Sequence, residues 1–239
     1  MATVAGLWIR KPTPSRLKAS AAKSEVAVTP TTLPSLTVKA TAELLRMPAH
    51  EQRRILLEHK YPKREPQKFR TPYYKPAVTG ILDFYRSGNQ PSRLLAAKSR
   101  IEGLMLPSRR LNNNRVLDRF ELSAAAKRHL IPVSNPRIHS CLGGVTLRLS
   151  PELRALEDGE ERTIYINLRN EKLNEEVARL TLEIAHLTLE ASGINVQPSQ
   201  IEFIDLFSGM VHQIGRRRSK TEKVLAENAD IMRMMWDAL

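Results

Sequence analysis

The residues best placed to do chemistry are concentrated between Lys60 and Pro76. Basic and aromatic side chains alternate there as Lys60-Tyr61, Lys63-Arg64, Lys68-Phe69-Arg70 and Tyr73-Tyr74-Lys75, with Pro62, Pro66, Pro72 and Pro76 among them. Proline holds such a strip extended, cations pair with phosphates and rings stack on bases. The same rings can instead dock a linker on the main body, and the residue types leave both readings open. A second basic group, Arg109, Arg110, Arg115 and Arg119, falls at and just before the start of a helix expected over 112–130 and capped by asparagine. A helix N-terminus flanked by arginines can hold a phosphate. Arginines on a helix can also form a solvated face.

Other reactive groups point to less. The histidines at 50, 59, 129, 139, 186 and 212 show no H-E-x-x-H or H-x-x-x-H spacing, which argues against a zincin. Cys141 is the only cysteine, so an intramolecular disulfide and a cysteine-only zinc cage are excluded. A Cys–His nucleophile with His139 lacks a third, orienting group, and a structural thiol is the simpler reading. Gly143-Gly144 has neither the helix nor the lysine of a phosphate-binding loop. Asp205 falls among apolar strand residues, as a paired buried carboxylate or as a support for a neighbouring site.

These groups need elements to carry them. The prolines of residues 1–36 predict an extended or disordered segment. Two short helices are expected over 41–59, the second started by Pro48. Further helices are expected over 77–86, 91–106 and 112–130. The alternation Val145, Leu147, Leu149 predicts a strand with one buried face. Ile164, Ile166 and Leu168 predict a second, after a turn at Asp158-Gly159. Leu173, Val177, Leu180, Ile184, Leu187 and Ala191 form the apolar stripe of a long helix that stops at Gly193. Strands over 201–207 and 210–214 and a final helix containing Trp236 complete the chain. The fold class expected is α+β with an α/β-type core. The division expected is a basic arm over 1–40, a helical basic region over 41–138 and an α/β domain over 139–239.

Charge follows the same division. Residues 1–138 carry 26 Lys and Arg against 9 Asp and Glu, whereas residues 139–239 carry 12 against 16. A basic front on a mildly acidic back is the electrostatic footprint expected of a polyanion partner. The first acidic residue is Glu25, after Arg10, Lys11, Arg16, Lys18 and Lys23. Such a start resembles an organelle transit peptide or a basic binding arm, and the arm is the reading taken. No apolar run reaches the ~20 residues that span a bilayer. One cysteine and no secretory pattern make the cytoplasm, or another reducing interior, the expected location.

The order of helix, strand hairpin, long helix, strand hairpin and helix from about residue 91 resembles the PD-(D/E)XK nuclease superfamily over roughly residues 91–214. Its most specific piece runs from Gly143 to Arg169, followed by the helix over 171–192 and Ile201–Gly209. The resemblance implies a restriction-endonuclease-like mixed sheet flanked by helices. It places Glu152 of Pro151-Glu152 at the first acidic position and Asn167-Leu168-Arg169 at the (D/E)-x-K position. In that family the carboxylates bind Mg²⁺ and the lysine acts on the attacking water. Here Glu152 would be the metal ligand. Asn167 lacks the charge of a carboxylate, and Arg169 is not deprotonated as a lysine can be, so the resemblance implies a degenerate site. An additional acid on a preceding helix would be Glu102 or Glu121, and Glu157 is a further candidate.

Three functions are compatible with these residues. The first is a nucleic-acid-binding component, for DNA or RNA, within a larger nucleoprotein or antiviral defence complex with protein partners. It needs no cofactor. The second is an active Mg²⁺-dependent endonuclease. The third is a structural subunit of a ribonucleoprotein assembly.

Overall fold

The computed structural model describes residues 33–61 and 72–239. The expectations for residues 1–32, and for Lys63, Arg64, Lys68 and Arg70 of the basic strip, lie outside the described residues. Among those described, seven α-helices and two small mixed sheets make a mixed α/β architecture. No helix among them is long and apolar enough to cross a membrane.

The larger sheet has the order β2-β5-β6-β7-β8. β2 is Ile131–Pro132, β5 Leu153–Glu157, β6 Glu160–Asn167, β7 Ile201–Asp205 and β8 Met210–Gln213. β5 and β6 form a hairpin, and both turn residues, Asp158 (φ 52°) and Gly159 (φ 83°), are left-handed, as the right-handed strand twist favours. β6 and β7 are parallel and therefore need a crossover. Helix α6 (Glu175–Ala191) supplies it. Asn174 caps α6 by accepting the Glu176 and Val177 N–H groups, and Glu175 and Glu176 complement its dipole. Gly193, at φ 75°, follows its last turn.

Helices cover both faces of this sheet. On one face, α6, the final helix α7 (Ser219–Asp237) and the small sheet pack against Tyr165, Ile201 and Phe203. On the other, α3 (Lys75–Arg86), α4 (Pro91–Glu102) and α5 (Pro107–Leu122) pack against Leu153, Ile164, Ile166 and Ile204. Covering on both faces corrects the one-sided strand expected for Ile164–Leu168. Thr163, Tyr165 and Asn167 are buried as fully as their apolar neighbours, as in parallel-type sheets whose two faces are both protected.

The small sheet, β1-β4-β3, joins Ser35–Thr37, Val145–Arg148 and His139–Leu142. This is a second correction. Strand 145–148 pairs with 139–142 and with the N-terminal Ser35–Thr37, and β6 pairs instead with Leu153–Glu157, which carried no strand expectation. α1 (Val38–Leu44) and α2 (Ala49–Lys60, preceded by Pro48) continue from β1 and join the α6 and α7 side. Residues before and after position 138 therefore share both cores.

A third correction concerns α5, which starts at Pro107 rather than near 112, because proline suits the first helical position. Asn113 is consequently inside the helix and buried. Its side chain accepts the Ala77 N–H of α3 and donates to the Tyr73 and Arg109 carbonyls.

The α3–α4–α5 layer depends on one glycine. A Cβ at Gly80 would lie 2.7 Å from the Ala97 Cβ and 3.3 Å from Leu117. Gly80→Ala gains helix propensity of ~1 kcal/mol, but the overlap forces the helices apart at a cost of about 1–3 kcal/mol. A net loss of thermal stability is expected. A higher melting temperature than wild type would show that the layer yields freely.

Candidate nucleic-acid interface

The carboxyl ends of β6 and β7 are where an open α/β sheet leaves a crevice. Here a cavity of about 450 Å³ opens between α1, the start of α3, the β4–β5 connection and the end of β6. Its wall includes Lys39, Glu43, Tyr73, Lys75, Glu152 and Arg169. Two of the three residues placed by the family resemblance, Glu152 and Arg169, thus face one space. Asn167 lines an adjoining cavity of about 270 Å³ together with Lys39 and Arg169.

Each of these groups is bound within the protein in a specific way. The β5–β6 ladder runs out at Leu153–Ile164, and two side chains take over its role at Ile166. Glu152 Oε2 accepts the Ile166 N–H at 2.9 Å, and Lys39 Nζ donates to the Ile166 carbonyl at 3.0 Å. Lys39 Nζ also lies 3.5 Å from Glu152 Oε1 and 5.1 Å from the centre of the Phe203 ring. Glu152 is therefore the carboxylate that closes a sheet edge. Beside it, the Tyr165 phenol is fully buried, and burial with the Glu152 charge pushes it above the usual tyrosine range, so it stays neutral.

Asn167 is register partner to Asp205 across β6 and β7. Its Nδ2 donates to Asp205 Oδ1 and to the Glu171 carbonyl, both at 2.8 Å, and its Oδ1 accepts the Arg169 N–H. Asp205 also accepts from Ser208 Oγ at 2.6 Å and from the Phe207 and Leu173 N–H groups. Burial pushes the Asp205 carboxyl up, but the hydrogen bonds from Ser208, Asn167, Leu173 and Phe207 outweigh it and hold the group below the usual carboxylate range. Asp205 fits both sequence readings, as a buried carboxylate held by hydrogen bonds and as a support for Asn167. Arg169 is half exposed and pairs with Glu43 at 3.0 Å and Glu171 at 3.7 Å.

This donor set does not fit the Mg²⁺ that the resemblance implies. Glu152 is engaged by a backbone N–H and a lysine. The Asn167 amide turns its nitrogen to Asp205 and commits its oxygen. Among the described residues, no group of three or more His, Cys, Asp or Glu side chains is arranged to hold a metal. The other candidate acids lie elsewhere. Glu102 accepts from Asn114, Glu121 pairs with Lys98, and Glu157 pairs with Arg128.

The aromatic and basic expectations divide. Tyr73 and Tyr74 meet edge to face at 4.9 Å between ring centres. Tyr73 is 39% exposed, and its hydroxyl accepts from Asn112. Tyr74 packs partly against the α3–α5 core, where burial, then the adjacent Tyr73, raise its phenol above the usual range. Lys75 is exposed at the start of α3. Arg109 and Arg110 donate to backbone carbonyls, Arg109 to Pro72 and Tyr73 and Arg110 to Leu104. Arg109 therefore fixes the chain that presents the tyrosines, whereas Arg110 ties down the α4–α5 connection. Arg115 is exposed on α5. Arg119 donates to Asn170 Oδ1 at 2.6 Å and lies 4.7 Å over the Phe207 ring.

Lys39, Glu43 and Phe207 had no signal in the sequence that tied them to this site. Lys39 is 113 residues from the Glu152 it meets, and only the β1–β4 pairing brings them together. No known family model matches the chain, and no curated protein matches its sequence.

Proposed function

We propose that the protein is a nucleic-acid-binding component whose back half is a degenerate PD-(D/E)XK-like domain, and that it acts without a metal-dependent cutting step. One observation carries this reading: Tyr73 and Lys75 stand exposed side by side at the cavity rim, with the half-exposed Arg169 across it in an ion pair with Glu43. Cations meet phosphates and an exposed ring stacks on a base. Lys63, Arg64, Lys68 and Arg70 precede Pro72 in the sequence, and such cations would strengthen binding to phosphates. Protein partners in a larger complex belong to this reading too. The outer side of α7 leaves Val224, Ile231 and Met234 exposed, as a helix awaiting a partner would.

The test is fluorescence anisotropy with labelled DNA and RNA strands over a range of salt. Affinity should fall linearly on a log–log plot, and Lys75→Gln should reduce the slope by about one. Tyr73→Ala should weaken binding by about 1–3 kcal/mol. In parallel, wild type and Glu152→Gln should both leave the strands uncut with Mg²⁺ or EDTA. A flat salt response would remove the basic footprint, and Mg²⁺-dependent cutting lost in Glu152→Gln would replace this reading with the nuclease.

A further inference from the structure

We propose that α5 is the spine of a path for single-stranded nucleic acid, with Tyr73 stacking one base at its first end and Phe207 stacking another at its second. This rests on the nucleic-acid reading above and adds to it the strandedness, a second stacking ring and the residues between the two.

Helix geometry lays out the path. At 100° per residue, Asn112, Arg115 and Arg119 fall along one side of α5. Asn112 donates to the Tyr73 hydroxyl at 2.9 Å. Seven residues on, Arg119 lies over the Phe207 ring. At 1.5 Å per residue the two contacts are about 10 Å apart along the axis. Arg115 stands exposed between them, where a backbone joining two stacked bases carries its phosphates. Of the acidic residues of α5, Glu121 lies on the opposite side and Asp118 on the flank next to Arg115. Asp118 and Glu121 pair with Lys98 on α4, and Asn114 reaches Glu102. One flank of the helix is therefore basic and the other neutralised.

Phe207 is presented rather than merely left out. It is 44% exposed, while Phe84, Phe120 and Phe203 are buried. Asp205 holds the turn that carries it through three bonds, accepting from the Phe207 N–H, Ser208 Oγ and, at its carbonyl, the Gly209 N–H. Gly209 takes φ 75°, which glycine allows without strain. A ring fixed in a tight turn loses little entropy when a base settles on it. Arg119 over the ring adds a guanidinium able to meet a phosphate beside the stacked base. Exposed rings stack on unpaired bases, because a duplex covers its own base faces.

The test uses full-length protein, labelled oligothymidylate and oligouridylate of two to ten nucleotides, and a duplex control, read by anisotropy. Single strands should bind more tightly than duplex. Phe207→Ala should weaken binding of the longer strands by about ten-fold. Phe207→Tyr should retain wild-type affinity, and Arg115→Gln should lower the salt slope by about one. If wild type binds strands and Phe207→Ala binds the longer ones equally well, the path is wrong while the Tyr73 cavity stands. Tighter binding to duplex overturns it as well. If wild type binds neither polymer, the nucleic-acid reading itself has failed. Melting of each variant separates lost stacking from lost folding.

Discussion

Asp205→Ala is expected to cost about 3 kcal/mol of stability and to lower the melting temperature by roughly 6–12 °C. The carboxylate is wholly buried, and its removal strips partners from Asn167, Ser208 and the Leu173 and Phe207 N–H groups together. Buried donors without acceptors are costly to leave unmade. Asp205→Asn keeps the shape but replaces one acceptor oxygen with a donating amide, so an intermediate loss is expected. The two proteins should also differ in acid. The Asp205 pKa is depressed in the fold, so its contribution is complete above the unfolded value of about 3.9. That contribution is lost as pH falls through the lower folded value. Asp205→Asn has no such proton to take up, and its stability should change less than wild type below about pH 4. Equal slopes in the two proteins, measured by urea unfolding at several pH values, would show that the carboxylate is not ionised as described.

The second large effect lies at the other end of the sheet. Arg128 bridges Glu157 at 2.5 Å and Glu202 at 2.6 Å. Glu202 is 1% exposed and its next cation, Arg162, is 4.0 Å away. The bond to Glu157 leads in raising the guanidinium pKa, and the same bond, helped by Arg162, lowers that of Glu157 against its burial. Arg128→Met leaves Glu202 as a buried charge with weak compensation, at an expected cost of about 3–5 kcal/mol. Arg128→Met with Glu202→Met should recover much of that loss, because a matched apolar pair can replace a buried ion pair. Chemical denaturation of the single and double variants decides it. A double variant no more stable than the single one would mean that the bridge to Glu157 carries the interaction.

These two clusters show what the sequence could reveal and what it could not. The periodicity of Leu173–Ala191 and the glycine after it were enough for α6, because an amphipathic stripe and its stop are local. The Asp158-Gly159 turn and the 201–213 hairpin were legible for the same reason. Pro48 marks the start of α2, and Pro107 carries the same signal for α5, five residues before the position that the asparagines suggest. Asparagine does cap helices, yet Asn113 proved to cap a different helix across the core.

Composition and order by themselves determined the mixed α/β class and the concentration of positive charge before residue 138. They also determined that Glu152, Asn167 and Arg169 fall near strand ends. Tertiary structure alone decided what those three residues do. Asn167 is spent on Asp205 because β6 and β7 are parallel neighbours in a particular register. Glu152 closes the edge at Ile166 because the β5–β6 ladder stops two residues short of it. Lys39 reaches the site only because Ser35–Thr37 joins β4. Register, sheet membership and chain crossings join residues far apart in sequence, and no local pattern encodes which distant strand a strand will choose.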